Sequence, residues 1–286
     1  MTVATAPGAR SDLLRPTGVS SAAHVAAFVR RDFLTARSYR LAFVLDFAST
    51  ASQVVLFFFL ARLVDAAGLT FGEQLKGGYF AFAVIGLVML RIIDTALRTF
   101  SVGLRGEQVR GTFEVLLTTP ARLPALILGM SAYTLLYGTV TGALMFGIAM
   151  ALGVQLSTGP LAVLAALVAF LGALVFFASI GVLVAAFVVV FKQGDSVVGV
   201  VSQMLALLGG VYFPVTLFPG PVQVLAQAFP FTWALDVLRA ALLADEILYA
   251  RLVPLTVVAC LLLPCSLWVL AKAIDRARRA GSLAYY

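Results

Sequence analysis

Histidine occurs once in this chain, at His24, and cysteine twice, at Cys260 and Cys265. One histidine in a polar N-terminal region and two cysteines in the last apolar run make no metal-ligand pattern. The cysteines suit small buried helix residues better than a disulfide. Charge is the other scarcity. Only 12% of the 286 residues are charged and 62% are hydrophobic, whereas soluble domains carry about 25% and about 45–50%. With a mean hydropathy of +1.05, the chain is expected to be an integral membrane protein. No P-loop spacing (Gly-x4-Gly-Lys-Ser/Thr) is present, so ATP phosphates cannot be held by that route. Gly-x-Ser-x-Gly, a His-Glu pair and a Cys/His grouping are also missing, and nothing supports an enzyme. The formal charge of +7 is not a sign of nucleic-acid binding. In a membrane protein the position of each Lys and Arg matters more than their total.

Six apolar runs are present, at 41–61, 78–100, 125–152, 161–191, 196–213 and 252–271. About 20 apolar residues cross a bilayer as a helix, so six transmembrane helices are expected. The fourth run exceeds that need and is expected to tilt or to project. The periodicity is helical rather than alternating, against a β-barrel. With both ends inside, six Lys/Arg lie in 1–40, five in 91–122, one is Lys192 and four lie in 272–279, opposite only Arg62, Lys76, Arg239 and Arg251. That bias predicts cytoplasmic N and C termini. Residues 1–24 lack a basic head followed by an apolar core, so no cleaved signal peptide is expected. Residues 1–21, broken by Pro7, Gly8, Pro16 and Gly18, read as a flexible tail, and 22–286 as one membrane domain.

Three segments do not belong to the spans. In 22–40, Val25, Phe28, Val29 and Phe33 share a helical face, with Arg30, Arg31, Asp32 and Arg37 on or near the other. This predicts an N-terminal amphipathic helix along the inner surface, its cations near anionic headgroups. It also serves as an ordinary topology signal. In 214–251, Pro214, Pro219-Gly220-Pro221 and Phe229-Pro230 break the chain into short pieces at 222–229 and 232–244, crowded by Phe213, Phe218, Phe229, Phe231 and Trp233. Aromatic residues gather at membrane interfaces, and the pieces are too short to span. Re-entrant outer helices forming a lid over an outer exit are expected, and a surface loop without a gating role is the alternative. The third segment, Arg105–Arg122, carries Arg105, Glu107, Arg110, Glu114 and Arg122, so it cannot sit in lipid. Val109, Phe113, Leu116 and Leu117 fall at helical spacing and Pro120 ends the run. A short amphipathic helix follows, either a partner-binding surface or a solvated connector.

A few polar residues interrupt the apolar runs: Asp46 and Gln53 in the first, Arg91 and Asp94 in the second, Gln203 in the fifth. Such residues pair or face a cavity, because intramembrane charge is expensive. Arg91 and Asp94, three apart, can meet on one helix face. Asp46 is near enough to the inner surface to pair with an arginine there. None forms the carboxylate chain of a proton relay. No internal repeat is visible, which disfavours an inverted-repeat secondary transporter.

Two motifs carry a family resemblance. GTFEVLLTTP at 111–120 resembles the cytosolic motif that opens the third span of ABC type-2 permeases, and GGVYFPVTLFPGPVQVLAQAFPFTWALDVLR at 209–239 resembles that family's second signature. FVRRDFLTARSYR at 28–40 and GSLAYY at 281–286 are similar to its ends. The resemblance implies six spans, an N-terminal elbow helix and a dimer with a second permease copy, identical or related. It implies two ATPase subunits, each engaged by a coupling helix, here about Glu107–Thr118. Val109, Phe113, Leu116 and Leu117 would fill an apolar groove on the ATPase, with Glu107, Arg110 and Glu114 setting register around Gly111. The cytosolic segments are too small for a nucleotide-binding domain, so ATP and Mg would be held by the partner and no cofactor by this chain. The expected function is the permease subunit of an exporter in the cytoplasmic membrane, in contact with lipids and not with nucleic acid. Its path would run between two copies, lined by spans one, two and five, and be gated outside by 214–244. A drug, a lipid or a lipid-linked glycan suits such an apolar path. An ion-coupled secondary transporter and a non-transporting anchor subunit are the alternative readings.

Overall fold

The computed structural model describes residues 21–68, 77–109, 123–157, 159–191 and 195–279. Among the described residues the fold is all helical: α1 Ser21–Ser38, α2 Arg40–Ala66, α3 Gly78–Val109, α4 Leu123–Ala151, α5 Pro160–Phe191, α6 Asp195–Leu208, α7 Gly220–Gln227, α8 Pro230–Ala244 and α9 Tyr249–Arg279, with a 3-10 turn at Val215–Leu217. Five helices are long and apolar enough to cross a membrane: α2, α3 over Gly78–Phe100, α4 over Ser131–Ala151, α5 over Pro160–Val188 and α9 over Tyr249–Arg276.

The fifth expected span differs. The apolar run 196–213 becomes α6, which stops at Leu208. Its 14 residues reach only about 21 Å at 1.5 Å each, short of the roughly 30 Å hydrocarbon layer. Gly209 and Gly210 follow, Gly210 with φ 74, a conformation that costs glycine nothing and ends a helix. Hydropathy continues unbroken through Val211–Phe213, so apolar content alone places the boundary too late. The short helices lie close to expectation, α7 and α8 each opening with proline in the first turn, where its missing N–H removes no helical bond.

α3 is the centre of the bundle. It packs against α2, α4, α5, α6 and α8, while α5 packs on α9 and α8. Within lipid no hydrophobic force pulls helices together, so close approach through small residues does it. The α5 face carries Ala165, Ala166, Ala169 and Ala173, all buried. At Gly181 a Cβ would fall 2.7 Å from the Ala96 carbonyl oxygen of α3, so only glycine allows this α3–α5 contact. α2 is the opposite case: Leu41, Val44, Leu56, Phe59 and Leu63 are exposed along it, and only 11% of its span is buried. One residue, Tyr39, separates α1 from α2. α1 folds back on α4, where Phe28 lies against Gly129 so closely that a Cβ there would be 2.5 Å from its ring.

Candidate functional site

Two polar clusters sit along α3, and a third feature lies beyond its end. The first cluster joins α2, α3 and α4. Arg91 donates through Nη2 to both oxygens of Asp46, each at 2.8 Å, and the Tyr137 hydroxyl donates to Asp46 at 2.7 Å. Phe43 and Phe47 pack edge-on against the Tyr137 ring. One turn further along α3, Arg98 donates through Nε to Asp94 at 2.9 Å, and the Ser202 hydroxyl of α6 donates to Asp94 at 2.7 Å. Sequence spacing pairs Arg91 with Asp94, but the structure gives each a different partner. Arg91 reaches across to α2, and Asp94 takes the arginine four residues on, the better-aligned helical neighbour. Gln53 and Gln203 belong to neither cluster. Both are exposed, on α2 and α6.

Of the residues expected to contact an ATPase, Glu107 and Val109 form the last turn of α3. Arg110, Gly111, Phe113, Glu114, Leu116 and Leu117 lie outside the described residues. α3 therefore runs 32 residues without a break, about 48 Å, up to the edge of that segment.

At the Gly78 end, the segment 209–244 builds the second site. Phe213 and Phe218 meet edge-to-face at 5.4 Å, bracketing the 3-10 turn that Pro214 introduces. Pro219 leads into α7, and Phe229 leads into Pro230 at the head of α8. The carbonyl end of α7 has no helical donors of its own. Two α8 side chains supply them: Thr232 Oγ1 donates to the Ala226 carbonyl at 2.7 Å and Trp233 Nε1 to the Gln227 carbonyl at 2.6 Å. α7 and α8 are thus closed into one hairpin.

Sequence reasoning missed what anchors this hairpin. Arg239 of α8 donates through Nη2 to the Phe82 carbonyl at 3.2 Å and the Val211 carbonyl at 3.3 Å. Tyr79 donates to the Tyr212 carbonyl at 3.0 Å, and Phe57 of α2 stacks on Tyr212. At Gly86 a Cβ would stand 2.6 Å from the Val211 carbonyl oxygen. The unwound segment after α6 is therefore pinned to one face of α3. Burial pushes the Arg239 pKa down to about 9, with Asp236 opposing, so at neutral pH the guanidinium stays charged. Burial raises Asp236, and Arg251 and Arg239 act against that rise. A signal was present: Asp236 and Arg239 lie three apart in an otherwise apolar helix, a pattern that marks a paired interior site rather than a solvated loop.

Beside this anchor is a cavity of about 500 Å³ lined by Phe82, Gln227, Asp236, Arg239, Glu246 and Arg251, among others. It differs from the apolar groove of about 620 Å³ between α1 and α4, lined by Val25, Val29, Phe33 and Leu136.

A family model described as ABC-2 type transporter matches residues 23–243, from α1 to the end of α8. No curated protein matches the chain.

Proposed function

The chain belongs to the ABC-2 type transporter family, and from that premise we propose that it is the permease subunit of an ATP-driven exporter whose ATPase is a separate chain. One observation carries the reading. α3 is an unbroken helix whose one end adjoins the charged segment 110–122 and whose other end bears Tyr79 and Gly86, against the unwound segment at 211–212, and Phe82, held by Arg239 of the hairpin. A rod of that kind turns a push at the ATPase into a displacement at the hairpin.

In this reading Glu107–Thr118 is the coupling helix, with Phe113 and Leu117 in a groove on the ATPase. ATP and Mg are held by that partner, and this chain binds no cofactor. α1 is the elbow helix at the inner surface, α6 with its unwound extension makes the sixth crossing, and both termini are cytoplasmic, as the Lys/Arg bias supports. The path runs between two permease copies, identical or related. Exposed Gln53 on α2 and Gln203 on α6 support this, because an amide facing lipid is costly and an amide facing a path or a second copy is not. The cargo is hydrophobic or amphipathic, a drug, a lipid or a lipid-linked glycan, and the 214–244 hairpin gates its exit. An ion-coupled mechanism is less well supported: Asp46 and Asp94 both accept bonds from arginine and neither is spare for a proton.

The test is a pull-down of the tagged chain from native membranes, with ATPase activity read on what accompanies it. A stoichiometric ATPase is expected, lost in Phe113→Asp while insertion is retained. Full coupling in Phe113→Asp or in Gly111→Pro would overturn the coupling-helix assignment. A chain that purifies alone and hydrolyses nothing would overturn the exporter reading.

A further inference from the structure

The apolar groove of about 620 Å³ is walled by Val25, Ala26, Val29 and Phe33 of α1 and by Tyr133 and Leu136 of α4. Among the described residues Arg30 is the one charged member of that lining. The α1 positions recur every three to four residues, so they share one helical face. Phe33 and Leu136 are each more than half exposed, so the groove is open along its length. It lies where α4 enters the hydrocarbon, since the apolar span of that helix begins at Ser131. Tyr133 stacks on Tyr137 there, and tyrosine gathers at that depth. Headgroup water is close by, but an apolar wall gives a water molecule none of the two to four partners it needs. The groove therefore takes an apolar occupant.

We propose that this groove seats one acyl chain of an anionic phospholipid, with Arg30 taking the headgroup phosphate. Charge selects the occupant. α1 and the first residue of α2 carry Arg30, Arg31, Arg37 and Arg40, with Asp32 as the one carboxylate among them. Arg31 Nε donates to Asp32 at 2.8 Å, so that carboxylate is already matched. Arg30 is exposed, and no carboxylate pairs with it among the described residues. The wall is almost wholly apolar, so Arg30 lends it the aliphatic stem and leaves the guanidinium for the headgroup layer. Arg37 follows Phe33 by four residues and adds a second cation one turn along the same face. A second copy docking through this face would set like charges against each other, which is destabilising. A neutral lipid would fill the groove and leave the cations unmatched, whereas an anionic one meets both wall and charge. Diffuse attraction of a basic helix to headgroups depends on charge alone. A discrete seat responds to the shape of the wall as well. The site does not require ATP-driven export, and it stands if that reading falls.

The experiment is native mass spectrometry of the full chain released from detergent micelles, titrated with phosphatidylglycerol or with phosphatidylcholine of the same acyl chains. Phosphatidylglycerol is expected to bind the more tightly. Arg30→Gln is expected to lower its affinity about fivefold, the worth of one cation at an anionic membrane surface, and to leave phosphatidylcholine unchanged. Arg276→Gln removes the same charge from an exposed position on α9 and is expected to change neither lipid. Ala26→Trp fills the groove from an exposed position on α1 and is expected to weaken both. Leu136→Trp fills it from α4 and decides the matter should Ala26→Trp unseat α1. Equal losses in Arg30→Gln and Arg276→Gln overturn the proposal in favour of diffuse attraction. Unchanged lipid binding in both groove-filling variants overturns the groove as the seat. If those variants instead split a dimer and leave lipid binding intact, the groove is a contact between copies and the proposal falls. Soluble glycerophosphoglycerol is expected not to displace the lipid, and displacement at equal concentration would show that the acyl chain plays no part.

Discussion

Arg239 lies over the face of Phe82, its Cζ 3.4 Å from the ring centroid, and donates to the carbonyl of that same residue. One side chain of α8 thereby grips both the side chain and the backbone of α3, and its second bond, to the Val211 carbonyl, adds the unwound segment. Cation–π contacts contribute about 0.5–2 kcal/mol and each bond to a charged group about 1.5–3 kcal/mol. Arg239→Gln loses the ring contact and at least one of the two bonds, and is therefore expected to destabilise the chain by about 2–5 kcal/mol on those scales, read as a fall in the melting midpoint in detergent. Phe82→Leu, which keeps the carbonyl bond and loses only the ring, should show the smaller drop. An Arg239→Gln midpoint equal to wild type would refute the anchor.

Gly86 and Gly147 make a matched pair on neighbouring helices. A Cβ at Gly86 meets the Val211 carbonyl at 2.6 Å, and one at Gly147 meets nothing within 4 Å. Gly86→Ala is expected to cost about 1–3 kcal/mol by overpacking, while Gly147→Ala should gain about 0.5–1 kcal/mol from helix propensity. Melting midpoints moving in opposite directions are the expected outcome. A common direction would mean that the close approach at Gly86 is not held in solution.

The Asp46–Arg91 pair predicts a particular non-additivity. Among the described residues, Asp46→Asn leaves Arg91, whose Nε already has no acceptor, without its Asp46 counter-charge, and Arg91→Gln leaves Asp46 with the Tyr137 hydroxyl. Each single change should cost about 1–3 kcal/mol. The double change should cost less than the sum, since no lone charge remains. A double-mutant cycle on thermal stability reads this directly, and strict additivity would show that the pair contributes nothing.

The hairpin offers a local readout. Trp233→Phe removes the donor to the Gln227 carbonyl while keeping most of the apolar ring, at a cost of about 1 kcal/mol. Hydrogen exchange should rise in 220–228 and stay unchanged in α3 and α5, because opening is confined to the unit that lost its cap. Faster exchange throughout the chain would mean that the hairpin is not an independent unit.

Much of this architecture is legible in the amino-acid sequence, for physical reasons that also explain the rest. The five long helices follow from apolar runs long enough to cross a bilayer despite a few polar residues within them. The two short ones follow from Pro221 and Pro230, which fix φ at their first turns. Hydropathy does not mark where α6 ends, since Val211–Phe213 are as apolar as the helix before them, and the double glycine at 209–210 was the better guide. The polar residues on α3 were visible as costly, but their partners were not. Asp46 comes from another helix, and no spacing rule reaches across helices. Arg239 and Arg251 counted only as loop cations, because their enclosure depends on α3 and α9 closing around α8. The proposed coupling helix, about Glu107–Thr118, is read from its motif, and its residues 110–118 lie outside the described residues.

The contact between Phe28 and Gly129 sets an order of assembly. Phe28 leaves the ribosome long before Gly129 does, so α1 has no seat until α4 has been made and inserted. Until then its apolar face lacks the α4 surface it packs on. A substitution at Gly129 that fills the seat would strand α1 after the spans themselves are in place. Such a defect would appear in biogenesis, as protease sensitivity of newly made chains, rather than in the hydropathy or the span count of the finished protein.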